Sequence, residues 1–80
     1  MEHYEQLKLA IENYYKIIKT DEIFEIADEF EKLKNIINNL NCDANLKCIY
    51  IAYFDLLQFK NGEKLLDVNF IIESLITFSS

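Results

Sequence analysis

The chain of 80 residues lacks proline, arginine and tryptophan, and it has one glycine, one histidine and two cysteines. One glycine is too few for the glycine-rich loops that cradle phosphates in nucleotide-binding proteins. Direct binding of nucleic acid needs clustered lysine and arginine, and the absence of arginine removes the usual side chain that reads bases and phosphates with paired hydrogen bonds, so we expect no direct binding of nucleic acid. Cys42 and Cys48, with no further cysteine or histidine beside them, are not a zinc site and predict free thiols in a reduced compartment.

The residues of a catalytic or metal site are missing as well. The one histidine, His3, lies at a terminus that is expected to fray, so no nucleophile–base arrangement can be built around it. Glu22, Glu25 and Glu29 share one face of a helix, but carboxylate metal sites in helical bundles use inward-facing glutamates with Glu-x-x-His pairs. We therefore expect no enzymatic activity, no cofactor and no metal.

No stretch of the sequence resembles a membrane span or a targeting segment. The longest uninterrupted apolar run, Cys48 to Phe54, has seven residues, whereas a membrane span needs about 20. Glu2 and Glu5 stand where a signal peptide carries positive charge. We expect a cytoplasmic protein, in the host cytoplasm if it is encoded by a phage. Ile, Asn, Lys, Phe and Tyr supply 39 of the 80 residues, which is typical of AT-rich coding in low-GC bacteria and their phages.

Half of the chain is apolar (51%), which excludes disorder. The apolar residues recur at helical spacing in four segments, and this pattern predicts an all-α fold, a compact antiparallel bundle of about four helices in one domain over residues 1–80. The first helix is predicted to run from Glu2 to Lys19, and the second from its cap at Thr20 or Asp21 to about Leu40. The third is predicted from Ala44 to Lys60, and the fourth from Asp67 onward. The predicted N-caps are Thr20 or Asp21, then Asp43, then Asp67.

The third segment is apolar nearly all round, which is typical of a buried central helix. Its main stripe is predicted to comprise Leu46, Ile49, Tyr50, Tyr53, Leu56 and Leu57. Asn61-Gly62 is predicted to end this helix, with Gly62 in the left-handed conformation. The alternative is a β-hairpin in which Asn61-Gly62 joins strands Cys48–Phe59 and Leu65–Phe70. Apolar residues in excess of the stripes, Phe70 and Ile76 above all, predict a dimer surface.

The charges are unevenly distributed. Fourteen acids against eight lysines give a net charge of −6. The segment from Asp21 to Glu31 holds six of the acids and no lysine, so it accounts for the whole net charge while the rest of the chain is balanced. An acidic patch of this kind predicts a protein partner with a basic surface, toward which it steers association.

Phe24 interrupts this acidic segment. The core stripe of the second helix is predicted to comprise Ile23, Ile26, Ala27, Phe30, Leu33 and Ile37. Phe24 lies about 140° from the centre of that stripe, with Asp21, Asp28 and Glu31 as its neighbours at helical spacing. An aromatic ring among charged residues is typical of an interface anchor. The alternatives are that a neighbouring helix covers it, or that it is one of the scattered exposed apolar residues common on protein surfaces. The predicted partner-binding residues are Asp21, Glu22, Phe24, Glu25, Asp28, Glu29 and Glu31.

These patterns predict a small acidic protein, of bacterial or phage origin, that inhibits a basic and nucleic-acid-handling host protein by binding it, as anti-CRISPR proteins do. Two alternatives remain open at this point: an immunity protein or antitoxin, and a helical dimerisation module. The order of four helices, with an aromatic third helix and a polar turn before a short fourth, resembles the four-helix immunity proteins of lactic-acid-bacterium bacteriocins. That resemblance is one of helix pattern without a shared motif, and it implies neutralisation of a toxin.

Overall fold

The structure is a computed structural model that describes residues 2–59 and 64–78, with side chains from residue 4 onward. Four helices lie in these ranges: α1 (Glu2–Ile17), α2 (Ile23–Asn38), α3 (Ala44–Leu57) and α4 (Val68–Thr77). They make up about three quarters of the described residues, which contain no strand, so the predicted all-α fold is confirmed. None of the described helices is long and apolar enough to cross a membrane.

The β-hairpin alternative is wrong, because the segments predicted as its two strands lie largely in helices. Residues 48–57 lie in α3, and residues 68–70 open α4. The alternation of apolar and polar residues breaks at Leu56, Leu57 and Gln58, and helical packing takes over there. The predicted turn at Asn61-Gly62 lies outside the described residues.

The central helix is α1, whereas the sequence pattern placed α3 at the centre. One stripe of α1 is buried, and α1 packs against both α2 and α4, while α3 packs mainly against α2. The buried stripe consists of Leu7, Ile11, Tyr14 and Ile18. The molecule measures 37 × 21 × 18 Å, and its two short dimensions equal about two helix diameters of 10 Å each. A body two helices thick leaves an outer face on each helix, so α3 is covered on one side only.

The buried face of α3 is rotated relative to the predicted stripe. Tyr50, Phe54 and Leu57 are buried, whereas Ile49 is 61% and Leu56 is 57% exposed. The ring of Phe54 meets the ring of Tyr14 edge-on at 5.8 Å, and long aromatic side chains thus fill the space between α1 and α3. Burial of the larger phenylalanine ring removes more apolar surface from water than burial of Ile49 on the opposite face would.

Three tyrosine hydroxyls tie the chain between α3 and α4 to the core. The Tyr14 hydroxyl donates a hydrogen bond to the carbonyl oxygen of Phe54, in the last turn of α3. The Tyr15 hydroxyl donates to the carbonyl of Leu66 at 2.8 Å, and the Tyr53 hydroxyl accepts from the Leu66 N–H at 2.9 Å. Carbonyls in the last turn of a helix lack helical partners, and the buried bond from Tyr14 satisfies the carbonyl of Phe54, whereas the two bonds to Leu66 are exposed.

The helix caps are partly as predicted. The carboxylate of Asp43 accepts hydrogen bonds from the N–H groups of Asn45 (2.7 Å) and Leu46 (3.4 Å), and that of Asp67 accepts from the N–H of Asn69 (3.3 Å). The caps predicted at Asp43 and Asp67 are therefore confirmed.

The predicted cap of α2 at Thr20 or Asp21 is wrong. Glu22 is the N-cap residue and makes no side-chain capping bond. The Thr20 hydroxyl donates instead to the carbonyl of Ile17 (2.7 Å) and accepts from the N–H of Glu22 (3.2 Å). Because Thr20 closes the end of α1 in this way, α1 ends at Ile17 rather than at Lys19. The helices α1 and α2 have the same length, 16 residues each.

Removal of the Tyr14 hydroxyl tests its contribution to stability. We expect Tyr14→Phe to lower the free energy of unfolding by about 1–2 kcal/mol, because the buried carbonyl of Phe54 loses its donor while the shape of the ring is kept. Urea denaturation followed by circular dichroism measures the change. Tyr4→Phe is the matched control, because the Tyr4 hydroxyl makes no hydrogen bond to the described residues. Equal loss in both variants would contradict a specific role for the Tyr14 bond.

Alkaline pH should unfold the protein through the same tyrosines. Burial raises the pKa of Tyr14, and burial together with the hydrogen bond to Tyr53 raises the pKa of Tyr15 above the ordinary value of about 10. The unfolded chain therefore releases these protons first, so stability is fully present below about pH 10 and falls as the pH rises beyond it. Urea midpoints measured from pH 8 to 11.5, with tyrosinate absorbance at each pH, check this. Full ionisation at pH 10 in a folded chain would contradict it.

Candidate protein-binding surface

The start of α2 carries the predicted partner-binding residues. Asp21 and Glu22 precede the helix, and the others lie within its first three turns. We define the acidic face as the exposed members of this set. They are Asp21, Glu22, Phe24, Glu25, Asp28 and Glu31. Glu29, the remaining predicted residue, is half-buried and lies where α2 approaches α1.

Phe24 is 88% exposed, the largest exposed fraction among the described large apolar side chains. The helix causes this exposure, because α2 buries Ile26, Leu33 and Ile37, and a residue two positions before Ile26 points to the opposite side. No neighbouring helix covers Phe24, so the alternative in which it is covered is wrong. Ile23 was predicted to lie on the core stripe and is instead 74% exposed, which places two apolar side chains together at the exposed start of α2.

Two ion pairs reduce the charge at the far end of this segment. The Glu29 carboxylate lies 3.4 Å from the Lys32 ammonium group, and the Glu31 carboxylate lies 2.9 Å from that of Lys34. Sequence reasoning missed this neutralisation, although the spacing of three residues signals it. Asp21, Glu22, Glu25 and Asp28 form no ion pair among the described residues, so uncompensated negative charge is concentrated around Phe24.

An open cleft of about 340 Å³ runs between α1 and α2 beside the acidic face. Its walls carry Lys16 from α1 and Glu25 and Glu29 from α2. The lysine offsets part of the negative charge of these two glutamates. Asp21, Glu22 and Asp28 do not line the cleft and form no ion pair among the described residues, so the least compensated carboxylates lie outside it.

The predicted dimer residues lie on α4. Phe70 is 55% and Ile76 is 39% exposed. They are six positions apart on the helix and point about 120° away from each other, so they do not form one continuous patch. Ile76 lines a second open cleft of about 350 Å³ between α1 and α4, together with Tyr4 and Glu73.

The described side chains hold no metal-binding arrangement, since no three of His, Cys, Asp and Glu lie close enough together there. Cys42 is buried and Cys48 is exposed, and both are free thiols. Burial raises the pKa of the Cys42 thiol, which keeps it in the unreactive protonated form at neutral pH. The side chain of His3 lies outside the described residues.

The chain matches no protein-family model, no curated protein and no solved structure. The geometry and charge of its own surfaces therefore carry the functional argument.

Proposed function

We propose that this protein is a non-enzymatic inhibitor that binds a basic surface of a protein that handles nucleic acid, in the manner of anti-CRISPR proteins. Phe24 is the anchor of the contact, and the carboxylates of the acidic face form its rim. The observation that carries the proposal is the 88% exposure of Phe24 close to four carboxylates that have no ion pair within the described residues, Asp21, Glu22, Glu25 and Asp28.

The exposed ring has no role in the stability of the monomer. Burial of a phenylalanine side chain stabilises a folded protein by about 1.5–3 kcal/mol. The exposed ring of Phe24 provides almost none of this stabilisation in the free chain. Interface energetics are dominated by a few such anchors surrounded by polar residues. Ile23 beside it, 74% exposed, widens the apolar centre of the contact.

The charges favour a partner that ordinarily binds phosphates. Proteins that bind nucleic acid do so through clustered lysine and arginine side chains, and the acidic face presents a complementary row of carboxylates on a rigid helix. The chain itself has no arginine and a net charge of −6, which disfavours its own binding to nucleic acid. Occupation of the basic site of the partner would exclude its nucleic acid. An immunity protein or antitoxin would use the same surface, and the identity of the bound protein decides between these readings.

Phe24→Ala separates binding from folding. We expect the free energy of unfolding to change by less than about 0.5 kcal/mol, because the side chain is exposed and alanine is the better helix former. Binding should weaken by about 2 kcal/mol or more, as is found for anchor residues. The measurement is calorimetric titration of the protein captured from a host lysate by the wild-type chain, beside a thermal melt of each variant.

Leu33→Ala is the opposite control, because this fully buried side chain should cost about 2–5 kcal/mol of stability when truncated. Phe30, which also belongs to the predicted core stripe of α2, is only half-buried and is therefore the weaker choice for this control. If Phe24→Ala binds the captured protein as tightly as wild type, Phe24 is not the anchor.

Charge reversal tests the rim. The double variant Glu25→Lys/Asp28→Lys should slow association about tenfold or more at low salt and flatten its salt dependence, since rim charges mainly steer the encounter. Glu5→Lys/Glu73→Lys makes the same change in net charge at the α1–α4 cleft and is the matched control. Stopped-flow association with the captured partner at several salt concentrations measures both. Equal slowing would show that net charge alone, and not the acidic face, directs binding.

A further inference from the structure

The outer side of α3 carries an apolar row that the acidic face does not explain. Ile49, Ala52 and Leu56 lie on it, and Phe59 follows in the turn that closes the helix, with its N–H bonded to the carbonyl of Leu56 at 3.0 Å. We call these four residues the α3 seam. All four are exposed, and Ile49, Leu56 and Phe59 are exposed by 61%, 57% and 78%.

The spacing of the α3 seam is three, four and three residues, which is the spacing of the contact positions in coiled coils. Such a row stays on one side of a helix and fills the holes of a second helix laid along it. The core of the monomer uses the other side of α3, through Tyr50, Phe54 and Leu57. The helix therefore has two apolar sides, and the monomer covers one of them.

The charge of α3 is compatible with a second copy of this chain as the partner that covers the α3 seam. The helix α3 contains one lysine, Lys47, and one acid, Asp55, so it is neutral. The net charge of the whole chain is accounted for by the segment from Asp21 to Glu31 on α2. Two copies would repel each other through their acidic faces but meet without net repulsion along α3.

The exposed area agrees with a weak symmetric dimer. A large side chain exposes about 200 Å² when free, so Ile49, Leu56 and Phe59 at their observed exposures offer about 390 Å² per copy. With Ala52 and the polar flanks the contact reaches about 500 Å² per copy, or about 1,000 Å² in all, the lower limit for a specific interface.

We propose that two copies of this protein pair through the α3 seam, with their α3 helices antiparallel about a two-fold axis near residue 54. Ile49 then lies opposite Phe59 of the second copy, and Ala52 lies opposite Leu56 of it. In each of these two pairs of facing residues a smaller side chain lies against a larger one, which suits close packing. The proposal is independent of the partner of the acidic face, because it uses a different helix and no charged residue.

The first test is sedimentation over a range of concentrations. Wild type should show a concentration-dependent dimer, and Leu56→Glu should weaken it at least tenfold, because each dimer loses two buried leucines and gains two buried charges. Phe70→Glu, which makes the same kind of change at a comparably exposed position on α4, is the matched control and should leave the dimer intact. Circular dichroism shows that each variant is folded. A wild-type monomer at millimolar concentration, or a dimer broken only by Phe70→Glu, would overturn the proposal.

The second test determines whether the two paired α3 helices are antiparallel. Ile49→Lys alone and Phe59→Glu alone should each abolish pairing, whereas an equimolar mixture of the two should restore it, because the new lysine of one chain meets the new glutamate of the other. A parallel arrangement gives no such rescue, since it places each position opposite itself. Absence of rescue in the mixture would therefore overturn the antiparallel pairing, and a partner helix from another protein would then be the occupant to seek.

Discussion

The thickness of the molecule governs how its apolar residues are distributed. A body of 21 by 18 Å across is two helices thick, and each helix in it has one side against a neighbour and one side toward water. A chain that is half apolar has more apolar surface than two layers can enclose, since a domain of this size buries only about 60% of its unfolded surface. The surplus must lie on the outside, and it is found on α3 and at the start of α2, and also at Leu9 on α1 and Phe70 on α4.

The tyrosines compensate for the small core. An aromatic ring is long enough to bridge α1 and α3, and the hydroxyl at its end meets a backbone group, which is buried in the case of Phe54. The hydroxyls of Tyr15 and Tyr53 bind both polar groups of Leu66 at the surface. The extended segment before α4 is thus joined to the core by hydrogen bonds where apolar contacts are few. The stability of the fold depends on side chains that are apolar along their length and polar at the tip.

Much of this fold was predictable from local patterns, and the failures have a common cause. Helical periodicity and the aspartates at positions 43 and 67 identify the helices, because they depend on residues within one or two turns of each other. The face of α3 that is buried depends on which distant side chain reaches it, and the ring of Tyr14 favours Phe54 over Ile49. The exposure of Phe24 was predictable from the helical wheel of α2, whereas the exposure of Ile23 beside it was not. The row at Ile49, Leu56 and Phe59 could be recognised as a seam only once the opposite side was known to be the buried one.

The acidic face and the α3 seam differ in the charge around them, and this difference is the basis for proposing different partners for them. Around Phe24 the carboxylates repel any second acidic chain and attract a basic one, so the acidic face is selective against its own copy. Along α3 the charges cancel, so this surface itself adds no net repulsion between identical chains. Each surface is therefore unsuited to the partner proposed for the other. A dimer formed through α3 would carry two acidic faces on one particle. A partner with two basic sites would bind this dimer more tightly than a single chain, because the second contact becomes intramolecular once the first has formed. The same holds for two partner molecules that are held close together.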